Sequence, residues 1–443
     1  KMLSNLKYIL ITATLLCGVA CDKSTPTPGN GKEQGGENTT TQYTEINGTD
    51  IDPKNNAIGL IADSSTGKGI AGIPVTDGYT FTTTDANGVY QFNANRWARR
   101  VYFTLPSEYK VPVDPENGRP IFYSAKDINY KQQNRNDFTL TPLDKPEDEF
   151  TILAIGDPQC EVASEADRFR NETINDIKST MAFAQNTMDK YHNAYAITMG
   201  DITFDNTSLW PTMAELCSSI DIGNGNVIPV FNCIGNHDHD LSATTDVEGA
   251  RCFEDNFGPS YYSFNIGKQH YIVLDNVVMT VIDGKLKKNE YTYGLTDKQW
   301  QWLVNDLSFV DKSTTLMVAS HIPMFKKDSA KAEFQDQSEH GADYANLLKQ
   351  YNKVHVWAGH THRSFNYNYP SSNTLKNIEV HTLARSTGEL WTNDYNAYGT
   401  PRGYTVVEID GEEMTRETDT LDGYACSSWS LWRYTAPHNS KEA

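Results

Sequence analysis

The 443-residue chain has few positive charges for its size. It carries 38 Lys and Arg residues against 57 Asp and Glu residues, which gives a formal net charge of −19. Because the phosphate backbones of nucleic acids recruit basic surfaces, this balance argues against nucleic acid as a bulk partner. It leaves room for a small phosphorylated substrate, because bound divalent cations would reverse the local field inside an acidic protein.

Long apolar runs are also scarce. An apolar stretch from Tyr8 to about Ala20 follows a short positive region between Lys1 and Lys7. It is too short to span a bilayer, and its layout is typical of a secretory signal. The protein is therefore expected to be exported.

The end of that signal has a distinctive sequence. Gly18-Val19-Ala20-Cys21 resembles a bacterial lipobox with a loose first position. In this interpretation residues 1–21 are a lipoprotein signal peptide, and Cys21 becomes the lipidated N-terminal residue. Several acyl chains would then hold the protein in the bacterial cell envelope, in the periplasm or at the outer-membrane surface. The alternative is an ordinary cleaved signal with an incidental cysteine.

Paired cysteine motifs are absent from the sequence. None of the seven cysteines shows CxxC spacing, which argues against a zinc ribbon. Five cysteines lie beyond the signal: Cys160, Cys217, Cys233, Cys252 and Cys426. Because this number is odd, at least one thiol of an exported protein has no disulfide partner within the chain. We expect Cys160 to be a small packed residue, because a thiolate needs an activating base nearby.

Composition divides the rest of the chain. Residues 22–50 are rich in Thr, Gly, Asn, Pro and Glu and are interpreted as a flexible linker. Short strand-like runs separated by turn signals predict a β-sandwich over residues 51–145. Strands and helices alternate over residues 146–412, which predicts an α/β sheet. Residues 413–443 are too few for a domain and are interpreted as final strands or the stub of a further module.

Three helices are expected in the α/β region. Residues 164–190 have the pattern of one long amphipathic helix with Ser164 as its N-cap. Thr296-Asp297 opens a second helix, and residues 342–351 form a third.

Five short apolar runs each end in a polar, metal-competent cluster. They are TILAIG-Asp157-Pro158-Gln159, YAITMG-Asp201, VFNCIG-Asn236-His237-Asp238, TLMVAS-His321 and VHVWAG-His360-Thr361-His362. Open α/β sheets bind ligands at the carboxyl ends of their strands, so these clusters predict one site. Oxygen and imidazole ligands suit divalent ions such as Mn, Fe and Zn.

This order of motifs resembles the calcineurin-like metallophosphoesterase superfamily over roughly residues 150–410. The resemblance implies a four-layer α/β/β/α sandwich holding two metal ions. Gln159 stands where the family usually has histidine, and the Asp-Pro-Gln form resembles that of a subset of the family.

The preceding region also carries a resemblance. Gly-x-Gly-Ile-x-Gly-Ile-Pro-Val followed by Thr-Asp-x-x-Gly-x-Tyr is similar to transthyretin-like domains found before some secreted metallophosphoesterases. We interpret this domain as a spacer packed beside the catalytic domain. A substrate or glycan platform is the alternative.

The resemblance also implies the ligand sets. The first metal would be held by Asp157, Gln159, Asp201 and His362, and the second by Asp201, Asn236, His321 and His360. A carboxylate such as Asp201 can offer one oxygen to each of two ions. The expected cofactors are two divalent ions drawn from Mn, Fe, Zn and Mg, which would clamp a phosphoryl group and activate a shared water.

His237 has a different implied role. The resemblance makes it a residue that stabilises the transition state and donates a proton to the leaving oxygen, and either Asp205 or Asp238 could orient it. Asn236 and Arg363 are candidate phosphate contacts, with a surface salt bridge as the alternative for Arg363.

Other candidates lie around these motifs. Residues 276–295 and 324–341 are candidate specificity loops, and His239 is interpreted as a solvated or supporting residue. Three candidate pocket residues are His381, Arg385 and Trp391. The remaining histidines are interpreted as structural or surface residues: His192, His270, His340, His355 and His438.

The sequence thus predicts an exported, membrane-anchored phosphoesterase. It would hydrolyse phosphomonoesters, phosphodiesters or pyrophosphates through a dimetal-bound hydroxide, with a nucleotide, sugar phosphate or lipid headgroup as substrate. One alternative is a surface glycan- or partner-binding lipoprotein with a vestigial metal site. Another is a metal-dependent amide or lactone hydrolase, which the non-ligand His237 disfavours.

Overall fold

The computed structural model describes residues 42–187, 193–223, 225–325, 340–369, 378–387 and 402–414. The predicted signal peptide with Cys21, most of the predicted linker, Trp391 and nearly all of the predicted C-terminal segment lie outside these residues. No helix within the described ranges is long and apolar enough to cross a membrane.

The N-terminal region is built from short strands. They are β1 Glu45–Ile46, β2 Thr49–Asp50, β3 Ala57–Asp63, β4 Pro74–Thr76, β5 Phe81–Thr83, β6 Val89–Phe92, β7 Tyr102–Phe103, β8 Asn134–Arg135 and β9 Phe138–Leu140. One sheet has the order β6-β3-β8, with β9 also paired to β3, and a second sheet has the order β5-β4-β7. Val75, Tyr90, Phe103 and Leu140 from both sheets are buried in one core, as expected for the predicted β-sandwich.

The ordered β domain begins earlier than the sequence indicated. Strands β1 and β2 form a hairpin within residues assigned to the linker. Ile46 and Ile51 are buried against Ile58 and Val89. The linker boundary at residue 50 is therefore wrong, because Ile46 and Ile51 are enough to anchor this otherwise largely exposed hairpin.

Fourteen further strands form the α/β region and its hairpin. They are β10 Glu149–Ile155, β11 Ala194–Thr198, β12 Ser219–Gly223, β13 Asn226–Asn232, β14 Tyr262–Ile266, β15 Gln269–Leu274, β16 Val277–Ile282, β17 Lys285–Tyr293, β18 Thr315–Ser320, β19 Lys353–Ala358, β20 Phe365–Tyr369, β21 Ile378–Thr382, β22 Tyr404–Asp410 and β23 Glu413–Met414. Two six-stranded sheets have the orders β12-β13-β11-β10-β22-β23 and β14-β15-β18-β19-β21-β20, and β16 pairs with β17.

Seven α-helices accompany these sheets in the described part of the chain. They are α1 Ala163–Arg168, α2 Asn175–Thr187, α3 Trp210–Leu216, α4 Asp246–Gly249, α5 Arg251–Phe257, α6 Asp297–Leu307 and α7 Gly341–Leu348. A π-helical segment, Phe169–Ile174, joins α1 to α2.

The side chains of β10 alternate between two hydrophobic clusters, one on each face of the first sheet. Leu153 and Ile155 are buried in the cluster that contains α2 and α3, whereas Ile152 and Ala154 are buried in the cluster between the sheets. Successive side chains of a strand point to opposite faces, so the first sheet is covered on both sides. Phe231 of the first sheet stacks on Phe264 of the second, with ring centroids 3.8 Å apart.

The second sheet is covered by the remaining long helices. Trp302 of α6 and Leu348 of α7 are buried with residues of this sheet. Helix, sheet, sheet and helix therefore follow one another, which confirms the four-layer α/β/β/α sandwich preceded by a small β domain.

The first predicted helix differs from the structure. It is divided into α1, the π-helical segment and α2, and its N-cap is Val162. Ser164 is not the cap. The Glu165 carboxylate instead accepts hydrogen bonds from the backbone N–H groups of Glu161 and Val162, at 2.7 and 3.1 Å. The predicted start of the second helix at Thr296-Asp297 is confirmed: Thr296 is the N-cap of α6, and its hydroxyl accepts from the Gln299 N–H.

The β domain packs directly on the edge strand β14. Leu105 forms a parallel bridge with Phe264, and its carbonyl accepts from the Asn265 N–H at 2.9 Å. Thr104 and Ser263 share a hydroxyl hydrogen bond of 3.0 Å. The β domain thus packs against the α/β region, and its role as a spacer or a platform stays a prediction.

The four described cysteines are free thiols: Cys160, Cys217, Cys233 and Cys252. Cys160 is fully buried, and burial raises the pKa of its thiol to about 12. It therefore packs as a neutral side chain, as the sequence indicated.

Candidate metal centre

Five parallel strand ends meet at one place. Strands β10, β11 and β13 are parallel neighbours in the first sheet, and β18 and β19 are parallel neighbours in the second. The loops that follow them touch across the gap between the sheets. The Asp157 carboxylate accepts from the His360 N–H at 3.0 and 3.1 Å, and its Oδ2 lies 3.1 Å from His362 Nε2. The structure therefore brings together the clusters singled out in the sequence.

The backbone of these loops turns sharply. Gln159, Asp201, His360 and His362 all have left-handed conformations, with φ values of 44°, 48°, 61° and 55°. Non-glycine residues adopt this region rarely, and such strained positions cluster at functional sites. The turns let side chains that follow straight strands point back into a shared space.

One corner of the site contains the predicted ligands of the first metal. Asp157 is fully buried and Gln159 nearly so. Gln159 Nε2 lies 3.3 Å from Asp201 Oδ2, whereas Gln159 Oε1 is buried with no hydrogen-bond partner among the described residues. A buried amide oxygen in this position fits a metal ion, because it has an uncompensated acceptor.

Three acceptor atoms converge in the other corner. His321 Nδ1 lies 2.7 Å from the Met199 carbonyl oxygen, so this nitrogen carries the proton of the neutral ring. The lone pair of His321 Nε2 then faces Asp201 Oδ2 at 3.2 Å and Asn236 Oδ1 at 3.0 Å. Three lone pairs this close require a cation between them, either a proton or a metal ion.

The charge state of the neighbouring groups follows from burial and mutual attraction. Burial disfavours the imidazolium form of His321, but the Asp201 carboxylate outweighs it and raises its pKa to about 9. Burial also acts against the charged form of Asp201, yet His321 and His237 hold its pKa well below the usual range. The fully buried Asp201 is therefore an anion that needs positive charge nearby.

His360 is the last of the residues predicted to hold the second metal ion. Its ligand atom lies within 4.8 Å of those of Asp201 and His321. Burial, with the charge of His321, lowers the pKa of His360 to about 4, so its ring is neutral at neutral pH. A metal ligand must be neutral imidazole, and the donor set of oxygens and imidazoles suits Mn, Fe or Zn. The residues present therefore fit the two predicted metal ions.

His237 stands apart from these ligands. Its backbone N–H donates to Asp201 Oδ1 at 2.9 Å, and its ring packs at a tilt of 31° against Phe204, with centroids 4.2 Å apart. Its Nδ1 lies 2.9 Å from Asp205 Oδ1. Burial would lower the pKa of His237, but the charges of Asp201 and Asp205 raise it.

The structure distinguishes the two candidates for orienting His237. Asp205 is the residue that contacts its ring. Asp238 accepts instead from the N–H groups of Thr203 and Gly235, both at 2.8 Å. Asp238 therefore holds the loop in place and does not touch the imidazole.

The hairpin β16–β17 supplies residues that the motifs did not reveal. Lys288 Nζ lies 2.7 Å from Asp205 Oδ2 and 4.7 Å from the centre of the Phe204 ring. The Tyr291 hydroxyl lies 3.4 Å from His360 Nε2. This hairpin falls within the predicted specificity segment 276–295, whereas most of segment 324–341 lies outside the described residues.

The other candidate residues lie elsewhere. Arg385 is almost fully buried, and its Nη2 donates to the Gln159 carbonyl at 2.9 Å, so it supports the loop rather than lining a pocket. His381 bonds to Asn366 and His355 instead of to a predicted ligand. His239 is buried against the Gly235 carbonyl, which fits a supporting residue. For Arg363 the backbone carbonyl accepts from Thr382, and a phosphate contact stays a prediction.

Comparison with known families agrees with this geometry. Residues 150–364 match the model described as calcineurin-like phosphoesterase, and residues 58–143 match the N terminal of calcineurin-like phosphoesterase. The chain belongs to the calcineurin-like phosphoesterase family, which is metal-dependent.

Two curated plant proteins are similar to part of the chain. Purple acid phosphatase 15 of Arabidopsis thaliana is 28% identical over 163 residues, which are 34% of this chain and 27% of that protein. Purple acid phosphatase 23 of the same plant is 31% identical over 115 residues, which are 24% and 22% of the two chains. The match spans about a quarter of each relative's length.

Among solved structures, a dimetal phosphatase from Danio rerio is 15% identical with a TM-score of 0.37, covering 60% of this chain and 93% of that one. The phosphopantetheinyl hydrolase of Mycobacterium tuberculosis is 12% identical with a TM-score of 0.32, covering 54% and 91%. Likenesses this distant bear on neither substrate nor mechanism.

Gly359 offers a test of the site's close packing. A Cβ at this position would overlap the Asp157 carboxylate and approach the Met199 carbonyl oxygen to 2.9 Å. We expect Gly359→Ala to displace Asp157, reduce bound manganese and lower phosphatase activity by about 100-fold, because small misplacements of catalytic groups have effects of this size. Metal analysis and turnover of p-nitrophenyl phosphate measure both.

The matched control is Gly403→Ala, because a Cβ there meets nothing within 4 Å. It should retain the metal content and activity of the parent. A Gly359→Ala protein with unchanged manganese content would contradict the placement of Asp157 at the metal centre.

Proposed function

We propose that this protein hydrolyses phosphomonoesters, phosphodiesters or pyrophosphates of small molecules, using two divalent metal ions. The observation that carries the proposal is the convergence of His321 Nε2, Asp201 Oδ2 and Asn236 Oδ1, with contacts of 3.2 and 3.0 Å, because a divalent ion can bind all three of these donor atoms together. The calcineurin-like phosphoesterase family of the chain supports the same reaction class.

The metal ions would be held by the residues that the motifs indicated. Asp157, Gln159, Asp201 and His362 would hold one ion, and Asp201, Asn236, His321 and His360 the other. Bound as a pair, divalent cations neutralise the charge of a phosphoryl group and lower the pKa of water. Asp201 is buried and anionic between the two groups, and its Oδ2 lies 3.3 Å from Gln159 Nε2 and 3.2 Å from His321 Nε2.

His237 would act on the leaving group. With Nδ1 engaged by Asp205, its Nε2 is the nitrogen that can carry a transferable proton. As the bond between phosphorus and the leaving oxygen breaks, this proton would pass to that oxygen, so that a neutral alcohol departs. The charges of Asp201 and Asp205 raise the pKa of His237 and so keep it protonated to higher pH.

The hairpin β16–β17 would contribute to substrate selection. Lys288 and Tyr291 reach from it to Asp205 and His360, so its conformation is coupled to the groups that act on the substrate. A nucleotide, a sugar phosphate or a lipid headgroup is the proposed substrate, and selection among them would depend on this hairpin.

We also propose that the protein is exported and lipid-anchored in a bacterial envelope. The apolar stretch from Tyr8 to about Ala20 and the sequence Gly18-Val19-Ala20-Cys21 support this. Acyl chains on Cys21 would provide the multiple anchors that stable membrane attachment requires.

The proposed reaction is tested with purified protein supplied with manganese. His237→Ala should lower the rate on p-nitrophenyl phosphate or bis(p-nitrophenyl) phosphate by about 10²–10⁴-fold, the usual range for a lost proton donor. Asp201→Ala should lower it at least as much, because the ligand proposed to be shared by both metal ions is lost. Asp221→Ala is the control, because Asp221 is exposed on β12. Full activity in both site variants would overturn the proposal, and less than one ion per chain would favour a binding lipoprotein with a vestigial site.

The role of Asp205 predicts a change in pH dependence. In Asp205→Asn a negative charge beside His237 is lost, so the pKa of His237 falls and the ring loses its proton at lower pH. The alkaline limb of kcat/KM should therefore move to lower pH, while Asp255→Asn, at an exposed carboxylate paired with Arg99, leaves the profile in place. If the alkaline limb of Asp205→Asn stays at the pH of the parent, His237 is not the proton donor.

Lipidation is tested in bacterial cells grown with labelled palmitate. The parent chain should carry the label and fractionate with membranes, and Cys21→Ser should do neither. Cys17→Ser is the matched control and should remain labelled. Label retained in Cys21→Ser would refute the anchor.

A further inference from the structure

A second group of metal-competent side chains lies outside the proposed centre. It consists of His355 on β19 and of Glu379 and His381 on β21, and their ligand atoms all lie within 4.8 Å of one another. His355 and His381 are buried, and the Glu379 side chain is 24% exposed. The sequence indicated only a structural histidine at 355, so this grouping comes from the structure.

The sheet register explains why the three residues meet. Strands β19 and β21 are parallel neighbours, and His355 lies opposite Glu379. His381 is two residues beyond Glu379, so both project from the same face of the sheet. Asn366 of β20 lies opposite His381 on the other side. The arrangement therefore rests on regular strands and not on a loop.

The distances match those between the ligands of a tetrahedral ion. His355 Nδ1 lies 3.3 Å from Glu379 Oε2 and 3.3 Å from His381 Nε2. Zinc bonds of about 2.0–2.2 Å to nitrogen and oxygen place neighbouring ligands of a tetrahedron about 3.3 Å apart. Both distances therefore fit two edges of a zinc tetrahedron.

The proton positions favour a cation as well. His381 Nδ1 lies 3.1 Å from Asn366 Oδ1, and since a carbonyl oxygen only accepts, this nitrogen carries the proton. His381 Nε2 then presents a lone pair to His355 Nδ1, which also faces the Glu379 carboxylate. A metal ion placed between these three side chains would bind a donor atom of each. The bond from His381 to Asn366 is also the kind of outer contact that fixes metal-binding histidines.

We propose that His355, Glu379 and His381 form a third metal site that binds zinc, separate from the catalytic pair. Two imidazoles and one carboxylate suit this ion, with a water in the fourth position. The ion would fasten β19 to β21. Strand β19 leads to His360 and His362, and β21 leads to Arg385, which supports Gln159. The third ion would thus stabilise the two strands that carry one side of the catalytic centre.

The test is the zinc content of protein stripped with a chelator and then reloaded with zinc. His355→Gln and His381→Gln should each hold about one zinc per chain fewer than the parent, and zinc should raise their thermal midpoint less than it raises that of the parent. His270→Gln is the matched control, because His270 is equally buried in the same sheet and pairs with Asp306 but has no second histidine beside it. Manganese-supported turnover should stay within about two-fold of the parent.

Two further variants keep the outcome decisive. If His355→Gln fails to fold, Glu379→Gln changes the partly exposed ligand and should show the same loss of zinc. Asp201→Ala should retain this zinc even though it loses the proposed catalytic metals, so the third site and the proposed reaction can fail independently. A folded Glu379→Gln or His355→Gln protein with the parent's zinc content would overturn the third site.

Discussion

The meeting of two sheets at their carboxyl ends is the constraint on which the site depends. Asp201 belongs to the first sheet and His321 to the second, and their side chains approach to 3.2 Å. Such closeness leaves no room for side chains on the loops between them. A Cβ on Gly235 would overlap Asp201, and one on Gly359 would overlap Asp157. Glycines before the ligands therefore set how near the two halves of the centre can come.

The loops that carry the proposed metal ligands can be predicted from the sequence, because each of them follows a local pattern of residues. An apolar run predicts a buried strand, and polar residues directly after it lie at the sheet edge. Asp157, Asp201 and His321 follow this rule, and the structure brings them together. The choice between Asp205 and Asp238 was not readable, since it depends on a left-handed turn at Asp205 and on the path of the loop back to His237. The contact of Lys288 with Asp205 cannot be predicted from the motifs, because Lys288 lies on a hairpin more than eighty positions after Asp205 in the chain.

Differences in the fold have a similar origin. The β1–β2 hairpin contributes too few apolar residues to stand out in a polar stretch, and only contact with Ile58 and Val89 reveals its role. The interruption of the first helix by Phe169–Ile174 leaves the amphipathic pattern almost intact, so periodicity could not detect it. In both cases tertiary packing, and not local preference, decided the outcome.

The bridge between Leu105 and Phe264 has a consequence for the molecule as a whole. Strand β14 is the outermost strand of its sheet, and unpaired outer strands are templates for pairing with other chains. The β domain occupies part of this border with its own backbone, as the bond from Asn265 to Leu105 shows. A hydrolase unit separated from its N-terminal neighbour would expose that border, and an exposed edge strand of this kind favours self-association.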